Sequence, residues 1–367
     1  MTRVSAVGTQ RFISQRRSER SRLLARLNAL CVSIRMWRVG VLLSPHRKVI
    51  LMSESAPGWA ANTISALNGM FGDYLLRRGN GLAIGMAFYS GNRPLLLSAQ
   101  AISEVFPQPS KKLCIFVHGL ACNESVWTWR ESAENAPDKV SREISYGALL
   151  QAELRYTPFY LRYNSGLPIA KNGSDLSSLL TALLANYPCA VDEIVLIGHS
   201  MGGLVLRAAC QQTNAEPPPW LKKVTRVFYL ATPHSGADLE RLVHAAARTL
   251  HAVPNPITRL IGDILDTRSQ GVKDLRRGAL LADDKPSSVV WLPTAQHYFL
   301  MGTITDDPSH PASRLLGDAL VRVPRESAAM NAMYDVSHSR VFAGVHHLAL
   351  AHDRDVYSQI KVWCSNP

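Results

Sequence analysis

Residues 193–209 read "EIVLIGHSMGGLVLRAA". Four branched apolar residues, Ile194 to Ile197, make a short run of the kind found in strands buried on both faces. From Gly202 onward the apolar residues follow a helical rhythm instead. The corner between the two is Gly198-His199-Ser200-Met201-Gly202, of the form GxSxG. A serine in so sharp a strand-to-helix turn takes a strained backbone, and its neighbours must be small because side chains there would clash. The turn lifts the hydroxyl beyond the carboxyl end of the strand. It also sets it at a helix N-terminus, where free N–H groups favour developing negative charge. Isolated matches arise by chance, and the plain alternative is a glycine-rich turn in which the serine only caps the helix. The strand before and the helix after favour a nucleophile. Ser200 is therefore the candidate nucleophile, with Gly198 and Gly202 as supports.

Outward from this corner the chain keeps a regular rhythm. "KLCIFV", "TPFYLRY", "EIVLIG" and "VTRVFYLATP" read as strands. Helical stretches lie between them at "YGALLQAELRY", at Ser174–Asn186 with Ser174 or Asp175 as cap, and at "GGLVLRAACQQ", ended by Pro217-Pro218-Pro219. Strands alternating with helices imply an α/β fold with a doubly wound, mainly parallel sheet. The rhythm breaks over about residues 236–290, where apolar helical patches without a convincing strand suggest a cap insertion over the strand ends. That cap reads equally as an acyl-binding lid or as a packed helical subdomain. The rhythm resumes with "HYFLMGTI", a loop containing "GDALVRVP", the strand "RVFAG", two adjacent histidines and a last helix "RDVYSQIKVWC". Before the core, "WAANTISALNGMFGDYLLRRGN" reads as a helix ending at Gly79-Asn80. Two short strands follow around Ser90-Gly91-Asn92. The expected organisation is an extension over 1–51, a helix and hairpin over 52–110, and a catalytic domain over 111–367.

Of 367 residues, 47% are hydrophobic and 19% charged, enough to bury a large core. The net charge of +12 suggests nucleic acid until it is located. Residues 1–51 carry ten Arg and one Lys against Glu19 alone, so the rest of the chain is nearly neutral. No nucleic-acid partner is expected. The basic head reads as a solvated tail, an amphipathic helix for an anionic membrane surface, or a transit-like segment. Met52 offers an alternative start. No stretch of about eighteen uncharged apolar residues occurs, so a spanning helix is not expected. The expected location is cytoplasmic, with peripheral membrane contact through the head. The six cysteines are scattered, with Cys114 and Cys210 in apolar runs; Cys114 and Cys122 are near enough in sequence to bridge, which the sequence does not decide. No metal-ligand spacing and no phosphate-binding glycine motif appears, so neither metal nor cofactor is expected.

A serine nucleophile needs a base, an acid to orient it, and donors for the oxyanion. His118-Gly119-Leu120 follows the first core strand, and the N–H groups of Leu120 and Met201 are the candidate oxyanion donors. Gly119 permits close approach, and His118 is a motif support. Downstream acids are Asp238, Asp263, Asp266, Asp306, Asp307 and Asp318. The base is expected in the loop after the last strand, at His346 or His347. His199 is assigned to local packing, and His234 to a structural or pocket-lining place. Trp127 and Trp129 either line the pocket or anchor a helix.

The segments "FVHGL", "VLIGHSMGG", "YLATPHSGA", "GDALVRVP" and "GVHHLAL" resemble the α/β-hydrolase superfamily. Within it they are most similar to bacterial lipase/esterase-like serine hydrolases related to the GPI inositol-deacylase and triacylglycerol lipase groups. The resemblance spans roughly residues 60–367. It implies the order nucleophile, acid, histidine along the chain. It places Asp318 on the acid, although Ala319 and Arg322 stand where the family usually has Gly and Pro. It places His347 on the base, because the family histidine directly precedes L-x-L. The implied activity is hydrolysis of carboxylic esters, of small molecules or lipids, through an acyl-enzyme. The same residues would serve an acyltransferase or thioesterase. A silent hydrolase fold acting as a membrane-associated interaction protein is the alternative of another class.

Overall fold

The computed structural model describes residues 58–132, 141–211, 216–234, 291–307, 310, 318 and 338–366. The basic head, the expected cap at 236–290, Cys31, Asp238, Asp263, Asp266, Ala319 and Arg322 lie outside the described residues.

Helix α1 (Gly58–Arg77) comes first, then the hairpin β1 (Ala87–Ser90) and β2 (Arg93–Pro94), and α2 (Ala99–Val105). Gly91 and Asn92 take φ of 55° and 67°, the pair of positive values that closes a two-residue hairpin. The core continues with β3 (Lys112–Val117), β4 (Thr128–Ser132), β5 (Ser141–Ser145), α3 (Tyr146–Leu154), β6 (Tyr156–Arg162) and α4 (Ile169–Asn186). Then come β7 (Glu193–His199), α5 (Met201–Cys210), β8 (Val224–Leu230), β9 (Gln296–Gly302), β10 (Ser339–Phe342) and α6 (Arg354–Ser365).

The main sheet has the order β10-β9-β8-β7-β3-β6-β1-β2. Strands β10 through β6 in that order are parallel, and the β1–β2 hairpin joins antiparallel along β6. The chain runs from β3 outward to β6 and then returns to the other side of β3 with β7. That reversal is the switch point, and in sheets of this kind ligands usually bind at the carboxyl ends of the strands beside it.

Side chains alternate strictly across the sheet. Leu113, Ile115 and Val117 of β3 enter one core with Leu176, Leu180 and Leu183 of α4 and Leu204 to Leu206 of α5. Cys114 and Phe116 enter the other with Tyr146 and Leu150 of α3 and Val356, Tyr357 and Ile360 of α6. A strand read as uniformly apolar is thus serving two faces. Trp127 is fully buried in this second core, edge-on to Phe116 at 5.1 Å. Trp129 stands edge-on to Tyr146 at 5.6 Å. Both tryptophans therefore pack around the start of α3. Cys114 is buried and Cys210 partly so; both, with Cys122, are free thiols.

Two local expectations change. Helix α4 starts at Ile169, not at Ser174, so Ser174 and Asp175 lie inside it rather than capping it. Gly173, one turn inside the helix, is a contact point: a Cβ there would lie 2.5 Å from Cβ of Ala208, so its absence lets α4 cross closely over α5. Second, β4 and β5 form a small separate sheet in a stretch where no strand was expected. Its register sets Arg130 opposite Glu143, Glu131 opposite Arg142, and Trp129 opposite Ile144, opposed charges and one apolar pair that favour pairing.

Helix α1 is docked at the carboxyl ends of β3 and β6. Asn123 donates to Oδ1 of Asn62 at 2.8 Å, and Asn164 donates to the Gly72 carbonyl at 3.0 Å. A Cβ on Gly69 would lie 2.8 Å from Cα of Ala121, in the loop after β3.

Candidate active site

The corner after β7 has the strain anticipated for it. Ser200 has φ 54° and ψ −127°, a conformation that side chains rarely adopt and that neighbouring packing must enforce. Its N–H donates to the Leu230 carbonyl of β8 at 2.7 Å. It stands at the N-cap position of α5, yet its side chain makes no capping hydrogen bond. The capping alternative therefore lacks its defining contact. A Cβ on Gly202 would strike the Val117 and His118 carbonyls, and one on Gly198 would lie 2.7 Å from Cα of Gly203. These glycines let the first turn of α5 sit against the end of β3.

The loop after β3 reaches the serine. A Cβ on Gly119 would lie 2.9 Å from Cβ of Ser200. Leu120 and Met201 both have buried side chains in the apolar core on the α4 and α5 face of the sheet. His118 is fully buried and stacked on Tyr163 at 4.4 Å. Its Nδ1 lies 2.9 Å from the Gly119 carbonyl, and the Tyr163 hydroxyl donates to the His118 carbonyl at 2.9 Å. A carbonyl only accepts, so Nδ1 carries the hydrogen. Burial pushes the His118 pKa down to about 4, against the opposing pull of the Gly119 carbonyl. Ala121 has φ 61° and donates from N–H to Oγ of Ser165 at 3.0 Å. The loop is thus braced from three sides.

Of the two adjacent histidines, His346 is exposed, and its Nδ1 accepts from the Ala349 N–H at 3.2 Å. His347 is buried, with Nδ1 2.9 Å from Oδ2 of Asp318. The His347 N–H also donates to the Asp318 carbonyl at 3.1 Å. Asp318 is 1% exposed. Nε2 of His347 makes no hydrogen bond among the described residues, Ser200 included; such contacts commonly close only with substrate bound. Asp306 packs instead against Gly344 in the turn after β10, and the Asp307 carbonyl accepts from Thr305 and His310.

His199 does more than pack. Its Nε2 lies 2.9 Å from the His347 carbonyl, and the two rings are 4.9 Å apart. This contact had no sequence signal, because it joins positions 148 apart. His234 is buried with Nδ1 3.1 Å from Nη1 of Arg207, edge-on to Tyr229 and Trp291. Among the described residues no group of three or more His, Cys, Asp or Glu side chains is placed to hold a metal ion. No helix among them is long and apolar enough to cross a membrane.

A family model described as the PGAP1-like alpha/beta domain matches residues 169–259, which include the whole corner around Ser200. The chain has an α/β fold built on a mainly parallel sheet. No curated protein matches this chain. It is similar to solved structures of several bacterial and archaeal proteins. The mature form of the lipase BlEst2 of Bacillus licheniformis is 18% identical, covers 71% of this chain and 95% of its own, and has a TM-score of 0.45. The esterase Pf2001 of Pyrococcus furiosus is 15% identical, with 70% and 83% covered and a TM-score of 0.41. An esterase of Exiguobacterium antarcticum is 11% identical, with 70% and 93% covered and a TM-score of 0.41.

Proposed function

We propose that the chain is a serine hydrolase of carboxylic esters. The observation that carries the reading is one buried constellation. A strained serine without a capping bond directly follows His199, whose ring is bonded to the carbonyl of a histidine; that histidine's Nδ1 is held on a buried carboxylate, and its buried Nε2 has no hydrogen-bond partner among the described residues. Ser200 Oγ attacks the ester carbonyl carbon while its proton passes to Nε2 of His347. The carbonyl oxygen becomes an oxyanion, received by the N–H groups of Leu120 and Met201. The ester C–O bond then breaks as His347 gives its proton to the departing alcohol. Water attacks the acyl-enzyme, His347 takes its proton, and collapse returns that proton to Ser200 with release of the carboxylic acid. Asp318 accepts from Nδ1–H throughout, which fixes the tautomer and offsets the imidazolium charge.

The test is labelling with a fluorophosphonate together with turnover of p-nitrophenyl esters of increasing acyl length. Wild type should label and turn over. Ser200→Ala should not label and should lose at least about a thousand-fold in kcat. Equal labelling of folded Ser200→Ala, or no labelling of folded wild type, sinks the reading.

A further inference from the structure

The reaction just described makes no use of His199, the residue immediately before the nucleophile. Its ring is 1% exposed and stands edge-on to Trp127, centroids 6.3 Å apart. Because a carbonyl only accepts, the bond to His347 requires the hydrogen on Nε2. Nδ1 is then bare, and it has no hydrogen-bond partner among the described residues. Burial, with His347 as the next contribution, holds the His199 pKa well below the ordinary histidine value. Burial therefore favours the neutral ring, with its one hydrogen on Nε2.

His347 is consequently held at three points. Its N–H and its ring Nδ1 are bonded to the carbonyl and the carboxylate of Asp318, and its carbonyl is bonded to His199. The contacts to Asp318 fix His347 relative to the acid. The third fixes it relative to the corner that bears the nucleophile. We propose that His199 is a positioning residue whose Nε2–H, bonded to the His347 carbonyl, sets the separation between Ser200 Oγ and His347 Nε2. The inference rests on the roles given above to Ser200 and His347. Misplacement of a reacting group by about 1 Å costs on the order of a hundred-fold in rate, so a single backbone contact is worth keeping here.

Three substitutions separate a donor from a filler. His199→Gln carries an amide nitrogen near the place of Nε2. His199→Asn reaches only as far as Nδ1. His199→Leu fills the space with no donor. On a short p-nitrophenyl ester, the Asn and Leu variants should lose about ten- to a hundred-fold in kcat with KM within about two-fold. Gln should recover at least ten-fold of the Asn loss, although both disturb the buried ring and should lower Tm alike. Equal kcat for Gln and Asn, wild-type kcat for Asn and Leu, or a loss that tracks Tm overturns the proposal. So does failure of all three to fold, since ring burial alone would then account for His199. Ser200→Ala and His347→Ala run in the same assay keep the two readings apart. Wild-type turnover in either defeats the proposed function. Inactivity in both, with the His199 series unchanged, defeats only the positioning role.

Discussion

At the scale of single residues, the site is a set of atoms held where they would not rest by themselves. Ser200 keeps φ 54° because its N–H is bonded to Leu230 and the glycines beside it admit the neighbouring backbone. The two adjacent histidines should part company sharply. His347→Ala should lose about ten-thousand-fold in kcat, because it removes the proposed base along with the Nδ1–H bonded to Asp318. His346→Ala should stay within about two-fold, since its ring only accepts from Ala349 at an exposed turn. Steady-state kinetics on one p-nitrophenyl ester checks both. A full loss in His346→Ala with an active His347→Ala would reverse the assignment. Spacing left these two histidines equivalent, and the choice between them came from a resemblance. What distinguishes them physically is burial and the partner at position 318, and neither is visible in a local stretch.

At the scale of elements, the strands were the readable part. Runs such as "KLCIFV" are apolar at consecutive positions, and the sheet has cores on both faces to receive them. The corner at Ser200 was readable for the same reason, since its motif is local. Contacts between distant stretches were not. The start of α4 was misplaced because Ser174 and Asp175 are good capping residues, whereas the helix begins at Ile169 and its Gly173 packs close to Ala208. The β4–β5 pair was hidden because its stability comes from cross-strand partners in a polar sequence. Helix α1 reads as a preface to the core, yet it braces the loop that carries Leu120. Gly69→Val should force Cβ against Ala121. The expected cost is about 1–3 kcal/mol of stability from overpacking, with a fall in kcat larger than any change in KM as the loop shifts. Urea unfolding and steady-state kinetics measure the two effects, and an unchanged kcat would show that α1 does not brace the loop.

At the scale of the whole molecule, several histidines are buried in a form that resists protonation. Burial lowers the pKa of His118 to about 4 and pushes those of His199 and His234 well below the ordinary value. Unfolded, each would titrate near 6.5. Between those limits the unfolded chain binds more protons than the folded one, so stability is complete above about pH 6.5 and is lost as pH falls toward 4. Each such histidine adds about 1.4 kcal/mol per pH unit to the slope within its window. Urea unfolding at pH 5 and pH 7 should show the loss. His118→Asn, which keeps a donor near Nδ1 but does not titrate, should reduce the slope by one proton. An unaltered slope would mean that His118 is not neutral in the folded chain.

The short hairpin has a consequence at the same scale. Strand β2 is two exposed residues long, Arg93-Pro94, and it closes one end of the sheet. Proline has no N–H to offer, and the arginine would be costly to cover without a counter-charge. A sheet usually grows by adding a strand to an unpaired margin, whether from another copy or from a misfolded neighbour. At this margin there is almost no backbone to add to, so the hairpin works as a selvedge on the β6 side of the sheet, and among the described residues β10 forms the margin on the other.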